Sequence, residues 1–299
     1  MKVPEALKQG DKIAIVAPAR KISSKELENA IKIIQDNGYE VVLGDTINKA
    51  SYQFAGNDDE RANDLQQILD NEEIKAVLFA RGGYGSVRII DKIDFSNFVK
   101  KPKWLVGYSD ITVFHCHLNE NFQVPTIHGS MPINFHENTN SSLTSLFDAL
   151  KSKPIDYKFP SDNIFNRKGK AEGQIIGGNL SVMYSLMGSD SFPDLKGKIL
   201  FLEDLDEYLY HIDRMMMCFK RAGVFSELSG LLIGGMTDMN DNTIAFGSSA
   251  KEIIRNTVEE YNYPIAFDLP IGHIKDNRSL VMGWNYKVDV NESVTISSI

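Results

Sequence analysis

The stretch Trp104-Leu-Val-Gly-Tyr-Ser-Asp-Ile-Thr112 sets a short apolar strand directly before a glycine, a serine and the start of a helix. Two earlier strands end in a similar way. Lys75–Ala80 runs into Arg81-Gly-Gly-Tyr-Gly85, and Lys12–Ala17 ends at Pro18. Strands that alternate with helices of about 10–15 residues predict a parallel sheet with helices on both faces. The glycine-rich turns then lie at the carboxyl edge of that sheet, where open α/β sheets bind ligands.

The alternation lapses after Pro132, which predicts two domains. Residues 140–168 are rich in Lys, Asp, Asn and Pro without a sustained period, so we predict a linker there. It would separate an N-terminal α/β domain, residues 1–139, from a mixed α/β domain, residues 169–299. The second domain includes the predicted strand Lys198–Glu203 and several closing strands.

Composition excludes several classes of protein. The chain has 299 residues, 42% of them hydrophobic and 24% charged, which is ordinary for a globular protein. The net charge of −8 argues against a nucleic-acid or anionic-membrane partner. The first residues, Met1–Asp11, contain no apolar stretch typical of a signal peptide, and only Cys116 and Cys218 are cysteines. We therefore expect a cytoplasmic protein.

Ser109 is the first candidate for chemistry. It stands between a strand and a helix, on a turn sharp enough to expose its hydroxyl to neighbouring backbone N–H groups. The G-x-S-x-G elbow is matched only in part, because Gly107 is present but Ile111 replaces the second glycine. Spacing alone leaves open that Ser109 or Asp110 merely caps the helix.

The segment Arg81-Gly-Gly-Tyr-Gly85 is the second candidate. Adjacent glycines let backbone N–H groups approach an oxyanion or a phosphate closely. The segment matches neither the dinucleotide-binding motif nor the Walker motif, so nucleotide binding is poorly supported. An ordinary tight turn is the alternative.

A serine nucleophile needs a base, and periodicity does not choose between His128, after a strand of the first domain, and His273, on a Pro/Gly loop. Glu203 ends a strand that looks buried, and it could orient an imidazole; a solvated acidic loop is the alternative. His115 and His117 lie two positions apart on a helix, about 200° around its axis, and cannot share a metal ion. We therefore expect these two histidines to be ordinary helix residues and expect no metal.

Taken together, these segments resemble the LD-carboxypeptidase family, serine peptidases of the muramoyltetrapeptide carboxypeptidase and microcin-immunity type. The resemblance covers nearly the whole chain and rests on the order of eight short motifs: Gly10–Pro18, Arg81–Gly85, Gly107–Asp110, His128–Gly129, Gly177–Leu180, Phe201–Asp204, Ile212–Arg214 and Gly272–His273. It implies an N-terminal class I glutamine-amidotransferase-like domain with a parallel sheet and a C-terminal swivelling β/α domain. It also implies a homodimer without a cofactor.

The resemblance also implies roles for single residues. The implied catalytic triad consists of the nucleophile Ser109, the base His273 and the orienting acid Glu203. The implied oxyanion donors are the backbone N–H groups of Asp110, Gly82 and Gly83. We further predict substrate contacts from three residues, Arg81, Tyr84 and His128. Arginine offers a planar donor pair for a terminal carboxylate, although Arg81 could equally form a structural ion pair.

The implied reaction is hydrolysis of an L,D-peptide bond, releasing terminal D-alanine from a murein tetrapeptide in cell-wall recycling. An immunity-type hydrolase that cleaves a peptidyl-nucleotide antibiotic is the alternative within the family. A non-catalytic protein that binds a small molecule is the alternative outside it. A glutamine amidotransferase is disfavoured because its cysteine nucleophile would have to replace Ser109.

Overall fold

The computed structural model describes residues 1–299. Its strands are Lys12–Val16 (β1), Glu40–Leu43 (β2), Ile74–Phe79 (β3), Trp104–Gly107 (β4), Thr126–His128 (β5), Asp156–Pro160 (β6), Gly169–Asn179 (β7), Ile199–Leu205 (β8), Gly230–Thr237 (β9), Ile265–Ala266 (β10), Leu280–Met282 (β11), Asn285–Val290 (β12) and Ser293–Ser298 (β13). Its α-helices are Glu28–Asp36 (α1), Asp58–Asp70 (α2), Thr112–Phe122 (α3), Asn140–Leu150 (α4), Leu180–Leu186 (α5), Leu209–Arg221 (α6) and Ala250–Thr257 (α7). None of the helices has both the length and the apolar composition needed to cross a bilayer.

The first sheet has six strands in the order β11-β5-β4-β3-β1-β2, and β1 to β5 are parallel. Alternate residues of β1 enter different cores. Ile13 and Ile15 belong to a buried cluster that includes residues of α1 and α4, whereas Ala14 and Val16 belong to one that includes residues of α2 and α3. Helices therefore cover both faces, which confirms the predicted α/β class with a parallel sheet.

The second sheet has seven strands in the order β10-β9-β8-β7-β12-β13-β6. The strands from β7 to β10 are parallel, and β12, β13 and β6 continue the sheet in antiparallel fashion. Adjacent residues of β8 again point into different cores, with Leu200 in one cluster and Phe201 in the other. Because both clusters contain residues of both sheets, the two halves of the chain share a continuous interior.

Local sequence signals explain several element ends. Ser23 and Glu26 form a reciprocal capping box at the 3₁₀ turn before α1. The chain leaves α1 through Gly38, whose φ is +87°. Asn179 ends β7 and at the same time caps α5 by accepting a hydrogen bond from Val182 N.

The segment predicted as a linker, residues 140–168, contains the helix α4 and the strand β6, which pairs with β13. The helix was not predicted because polar residues of this segment interrupt the apolar helical pattern. Ser142 and Ser145 are buried, and their hydroxyls donate to the carbonyls of Asn277, at 2.7 Å, and Ser142, at 2.6 Å. In β6 only Phe159 is buried, so its apolar alternation is weak. The boundaries at 139 and 169 stay a prediction.

One closing strand also lies elsewhere than expected. The sequence assigned every strand after residue 169 to the second domain, but β11 pairs with β5 at the edge of the first sheet, with Leu280 opposite His128. Three apolar residues carry no information about which sheet they join, and this pairing is decided by contacts distant in sequence.

Candidate active site

Ser109 lies just beyond the carboxyl end of β4, where the chain turns into a 3₁₀ segment and then α3. Its φ of +63° is in the left-handed region, which is uncommon for a residue other than glycine. The half-buried side chain does not cap either helical segment, because the capping positions are Tyr108 and Ile111 and neither makes a side-chain cap. The strained turn and the uncommitted hydroxyl favour a nucleophile over a helix cap.

The glycine loop after β3 lies against Ser109. A Cβ atom on Gly82 would stand 3.2 Å from Ser109 Oγ. The N–H groups of Gly82, Gly83 and Asp110 make no backbone hydrogen bond, and no side chain accepts from them. The Asp110 carboxylate is buried and accepts a hydrogen bond from Ser86 N at 2.9 Å, which holds the two turns together. The two turns that meet at Ser109 thus contain three unpaired backbone donors.

Arg61 is buried next to the glycine loop and links it to the end of β1, a role that the sequence analysis did not predict. Its fully buried guanidinium donates to the carbonyl of Pro18, at the end of β1, and to that of Gly85 in the glycine loop, at 3.0 Å. It also pairs with Asp58. A signal existed in the sequence, because Arg61 stands four residues before Leu65, on the apolar stripe of α2.

Glu203 and His273 form a buried acid–base pair. Glu203 Oε2 lies 2.6 Å from His273 Nδ1, and the side chains are 0% and 14% exposed. Gly272, with φ of +108°, permits this approach, because a Cβ there would lie 2.7 Å from Glu203 Oε2. Burial lowers the pKa of His273, but the charge and the hydrogen bond of Glu203 outweigh it, so the net pKa is raised.

An irregularity in β8 separates Glu203 from its neighbour Asp204. The pairing register with β9 shifts between Leu202 and Asp204, and the two carboxylates find different partners. Asp204 accepts hydrogen bonds from Asn179 Nδ2 at 2.8 Å and Ser181 N at 2.9 Å, at the start of α5. Burial, and then the charge of Glu203, raise the pKa of Asp204 to about 7. The alternative of a solvated acidic loop does not hold for either residue.

The structure brings the turn that carries Ser109 close to the Glu203–His273 pair. The ring of Tyr108, next to Ser109, packs edge-on against the ring of His273 with centroids 4.7 Å apart. The loop after His273 is tied to α4, since Ser142 Oγ donates to Asn277 O at 2.7 Å. No hydrogen bond joins Ser109 Oγ to His273 in this arrangement. The segment predicted as a linker therefore helps to hold the loop that carries the candidate base.

The predicted substrate contacts lie in different settings. Tyr84 is 46% exposed on the glycine loop. Arg81 is half-buried, makes no ion pair, and donates from Nη1 to Lys21 O at 3.3 Å. His128 is fully buried against Phe201, its ring nitrogens have no partner, and burial lowers its pKa well below the ordinary value. The prediction that His128 contacts substrate therefore conflicts with its position in the core.

His115 is a further residue whose role the sequence did not show. Its Nε2 lies 2.9 Å from the carbonyl of Gly107, to which it donates, and its Nδ1 lies 2.8 Å from Thr126 Oγ1. Complete burial lowers the pKa of His115 to about 4, so the ring is neutral and ties β4, β5 and α3 together behind Ser109. No group of three or more His, Cys, Asp or Glu side chains is placed to hold a metal ion.

Known proteins resemble the chain along its whole length. Models of the LD-carboxypeptidase N-terminal and C-terminal domains match residues 13–129 and 172–288. A probable murein peptide carboxypeptidase of Bacillus subtilis is 32% identical, over 98% of this chain and 93% of that protein. The crystal structure of muramoyltetrapeptide carboxypeptidase from Oxalobacter formigenes matches with a TM-score of 0.88 at 26% identity, over 96% and 98% of the two chains. The microcin C7 self-immunity protein MccF of Escherichia coli is 24% identical, over 94% and 90%.

Proposed function

Because the chain belongs to the LD-carboxypeptidase family and is a peptidase, we propose that it is a serine-type enzyme that hydrolyses an L,D-peptide bond and releases terminal D-alanine. The observation that carries the proposal is the combination of three features around Ser109. Its backbone is strained and its hydroxyl does not cap a helix, unpaired backbone N–H donors lie on one side, and the buried Glu203–His273 pair lies on the other. Acyl transfer requires a nucleophile, a base and an oxyanion site together.

In the proposed reaction, His273 Nε2 accepts the proton of Ser109 as Oγ bonds to the carbonyl carbon before D-alanine. The carbonyl oxygen becomes an anion and accepts hydrogen bonds from Gly82, Gly83 and Asp110 N–H groups. The carbon–nitrogen bond then breaks, and the imidazolium donates its proton to the departing amine. Water attacks the acyl-enzyme by the same route and frees Ser109 with the shortened peptide.

Glu203 has a positioning role in this scheme. It accepts a hydrogen bond from His273 Nδ1, which leaves Nε2 unprotonated and available to accept the serine proton. The hydrogen bond between Ser109 Oγ and His273 Nε2 is expected to form when substrate fills the site, as catalytic contacts often tighten in the complex.

We propose a murein tetrapeptide as the substrate, acted on in cytoplasmic cell-wall recycling by a homodimer. The names of the relatives from Bacillus subtilis and Oxalobacter formigenes support this substrate class. Arg81 supports it from the structure, because a carboxypeptidase must bind a free carboxylate and this guanidinium has no carboxylate partner in the chain.

The test is D-alanine release from a purified murein tetrapeptide. Ser109→Ala and His273→Ala should each lower kcat by about 10⁴-fold or more, because members of a triad act as a unit. The matched controls are Ser185→Ala on α5 and His136→Ala, both exposed, and each should keep the activity of the unaltered protein.

Full activity of a folded Ser109→Ala variant would overturn the serine mechanism. Cleavage of a peptidyl-nucleotide, with the tetrapeptide left intact, would favour the immunity-type alternative, to which the likeness to MccF also points. If both substrates survive intact, the non-catalytic binding protein becomes the better interpretation.

A further inference from the structure

Arg20 is a residue beside the candidate site that the sequence analysis did not single out. It follows the carboxyl end of β1, and its backbone pairs with that of Phe54. Its side chain is exposed and crosses the glycine loop: a Cβ on Gly83 would lie 2.5 Å from Arg20 Cδ and 2.9 Å from Arg20 Nε. A side chain at position 83 would force the arginine stem to move away from the loop.

The charge of Arg20 is not neutralised within the chain. Its guanidinium takes part in no ion pair or hydrogen bond. Arg81 is also a cation, and its guanidinium lies close by, because Nη1 donates to the carbonyl of Lys21, the residue after Arg20. Burial, and then the charge of Arg20, lower the pKa of Arg81. Glu26 is the one carboxylate acting on Arg81, but its Oε2 is engaged by Ser23 N and Ser23 Oγ in the capping box.

The other two arginines of the first sheet's half of the chain behave differently. Arg61 and Arg88 both pair with Asp58, and Arg88 does so through two hydrogen bonds. Arg81 forms no such ion pair, and its Nε, like that of Arg61, is buried without an acceptor. Ion pairing is therefore the rule around this loop, and the two guanidiniums beside the oxyanion donors are the exceptions. Two unpaired cations side by side favour an anion between or beside them.

We infer that Arg20 and Arg81 together form a carboxylate-binding subsite at the mouth of the site, with Arg20 as its exposed arm. The inference rests on the proposed function and deepens it. The ligand chemistry is a peptide carboxylate, because guanidiniums offer paired N–H donors that match two carboxylate oxygens. The carboxylate is that of the terminal D-alanine or an internal one of the same peptide.

The test measures equilibrium binding in a Ser109→Ala background, so that it does not depend on turnover. Three peptides are compared: the tetrapeptide acid, its C-terminal amide, and a peptide with a free terminus whose internal carboxylates are amidated. Arg20→Gln should weaken binding of the acid by about 10- to 100-fold, the range for charge-assisted hydrogen bonds. The control Lys25→Gln removes one exposed positive charge from the same region and should leave all three affinities unchanged.

The two amidated peptides identify the source of the carboxylate. If the C-terminal amide binds the Ser109→Ala protein weakly, and adding Arg20→Gln weakens it no further, the subsite holds the terminal carboxylate. The same pattern with the internally amidated peptide assigns an internal carboxylate instead. Equal losses on all three peptides, or no loss on any, would overturn the inference.

The two proposals fail in distinguishable ways. Absence of D-alanine release by the unaltered protein counts against the proposed function only, because binding is measured separately. Acid-selective binding that survives Arg20→Gln counts against the subsite only.

Discussion

Around Ser109 the backbone supplies most of the chemistry, whereas around His273 buried side chains do. The first half of the site consists of a left-handed turn and free N–H groups, fastened by Arg61. The second consists of a carboxylate with 0% exposure against an imidazole. The difference indicates where each half is vulnerable. Activity should depend in the Ser109 half on the space around the backbone and on the contacts of Arg61. In the His273 half it should depend on space and also on the charge of Glu203.

Apart from removal of the nucleophile or the base itself, the largest effect is expected from Glu203→Gln, which removes the charge of the acid–base half while keeping its shape. We expect kcat to fall by about 10³- to 10⁴-fold. The base works when neutral, so activity rises with pH through the pKa of His273, which Glu203 raises. Without that charge burial dominates, the pKa falls, and the acidic limb of kcat/KM should move to lower pH.

The profile would be measured from about pH 5 to about pH 9. Glu207→Gln is the matched control, since Glu207 also lies 2.6 Å from a histidine Nδ1, that of His211, and this pair makes no hydrogen bond with Glu203 or His273. An acidic limb that stays in place in Glu203→Gln would contradict the assignment of His273 as the base.

Removing the support of the Ser109 half is the next largest change. Arg61→Met leaves the carbonyls of Pro18 and Gly85 without their buried donor, so the free energy of unfolding should fall by about 2–4 kcal/mol. Arg88→Met is the control, because Arg88 pairs with the same Asp58 at the exposed surface, and it should cost no more than about 1 kcal/mol. Urea denaturation measures both, and equal losses would refute a fastening role for Arg61.

A single added methyl group should disturb the acid–base half by crowding. Gly272→Ala places a Cβ 2.7 Å from Glu203 Oε2 at a φ of +108°, so kcat/KM should fall by about 10²-fold. Gly188→Ala is the control for the strain of placing alanine at a positive φ, since Gly188 has φ of +83° and no atom within 4 Å of the added Cβ. If the two variants lose activity alike, the contact with Glu203 is not what Gly272 protects.

The smallest effect is expected from Gly82→Ala, the same change in the Ser109 half. The new Cβ would lie 3.1 Å from Ser109 Cβ and 3.2 Å from Oγ, which requires a shift of a few tenths of an ångström. We expect kcat to fall about tenfold while the midpoint of thermal unfolding stays unchanged. A loss of thermal stability without a loss of kcat would place the role of Gly82 in folding instead.

Much of the fold followed from short-range signals. The strand before Ser109 and the glycine loop after β3 were predicted, because turns depend on neighbouring residues. The helix α4 was not predicted, because its buried residues include Ser142 and Ser145. Their hydroxyls are hydrogen-bonded inside the protein, and polar residues do not contribute to an apolar helical pattern. The position of β11 was also missed, because a three-residue strand does not specify its partner.

The candidate site divides in the same way. Ser109 and Gly82 were found from local spacing, but Arg61, Arg20 and His115 were not, since their roles lie in contacts across the chain. The family resemblance pointed to His273 rather than His128, a choice that periodicity left open.

By itself the sequence determined the alternation of strands and helices, the elbow at Ser109 and the glycine turn beside it, because φ preferences and capping act over a few residues. The tertiary structure alone decided which histidine meets a carboxylate and which is enclosed in the core. It also decided which arginines are paired and which are left free. Burial and charge pairing are set by residues far apart in the chain, such as Glu203 and His273, which come together only when both sheets have formed.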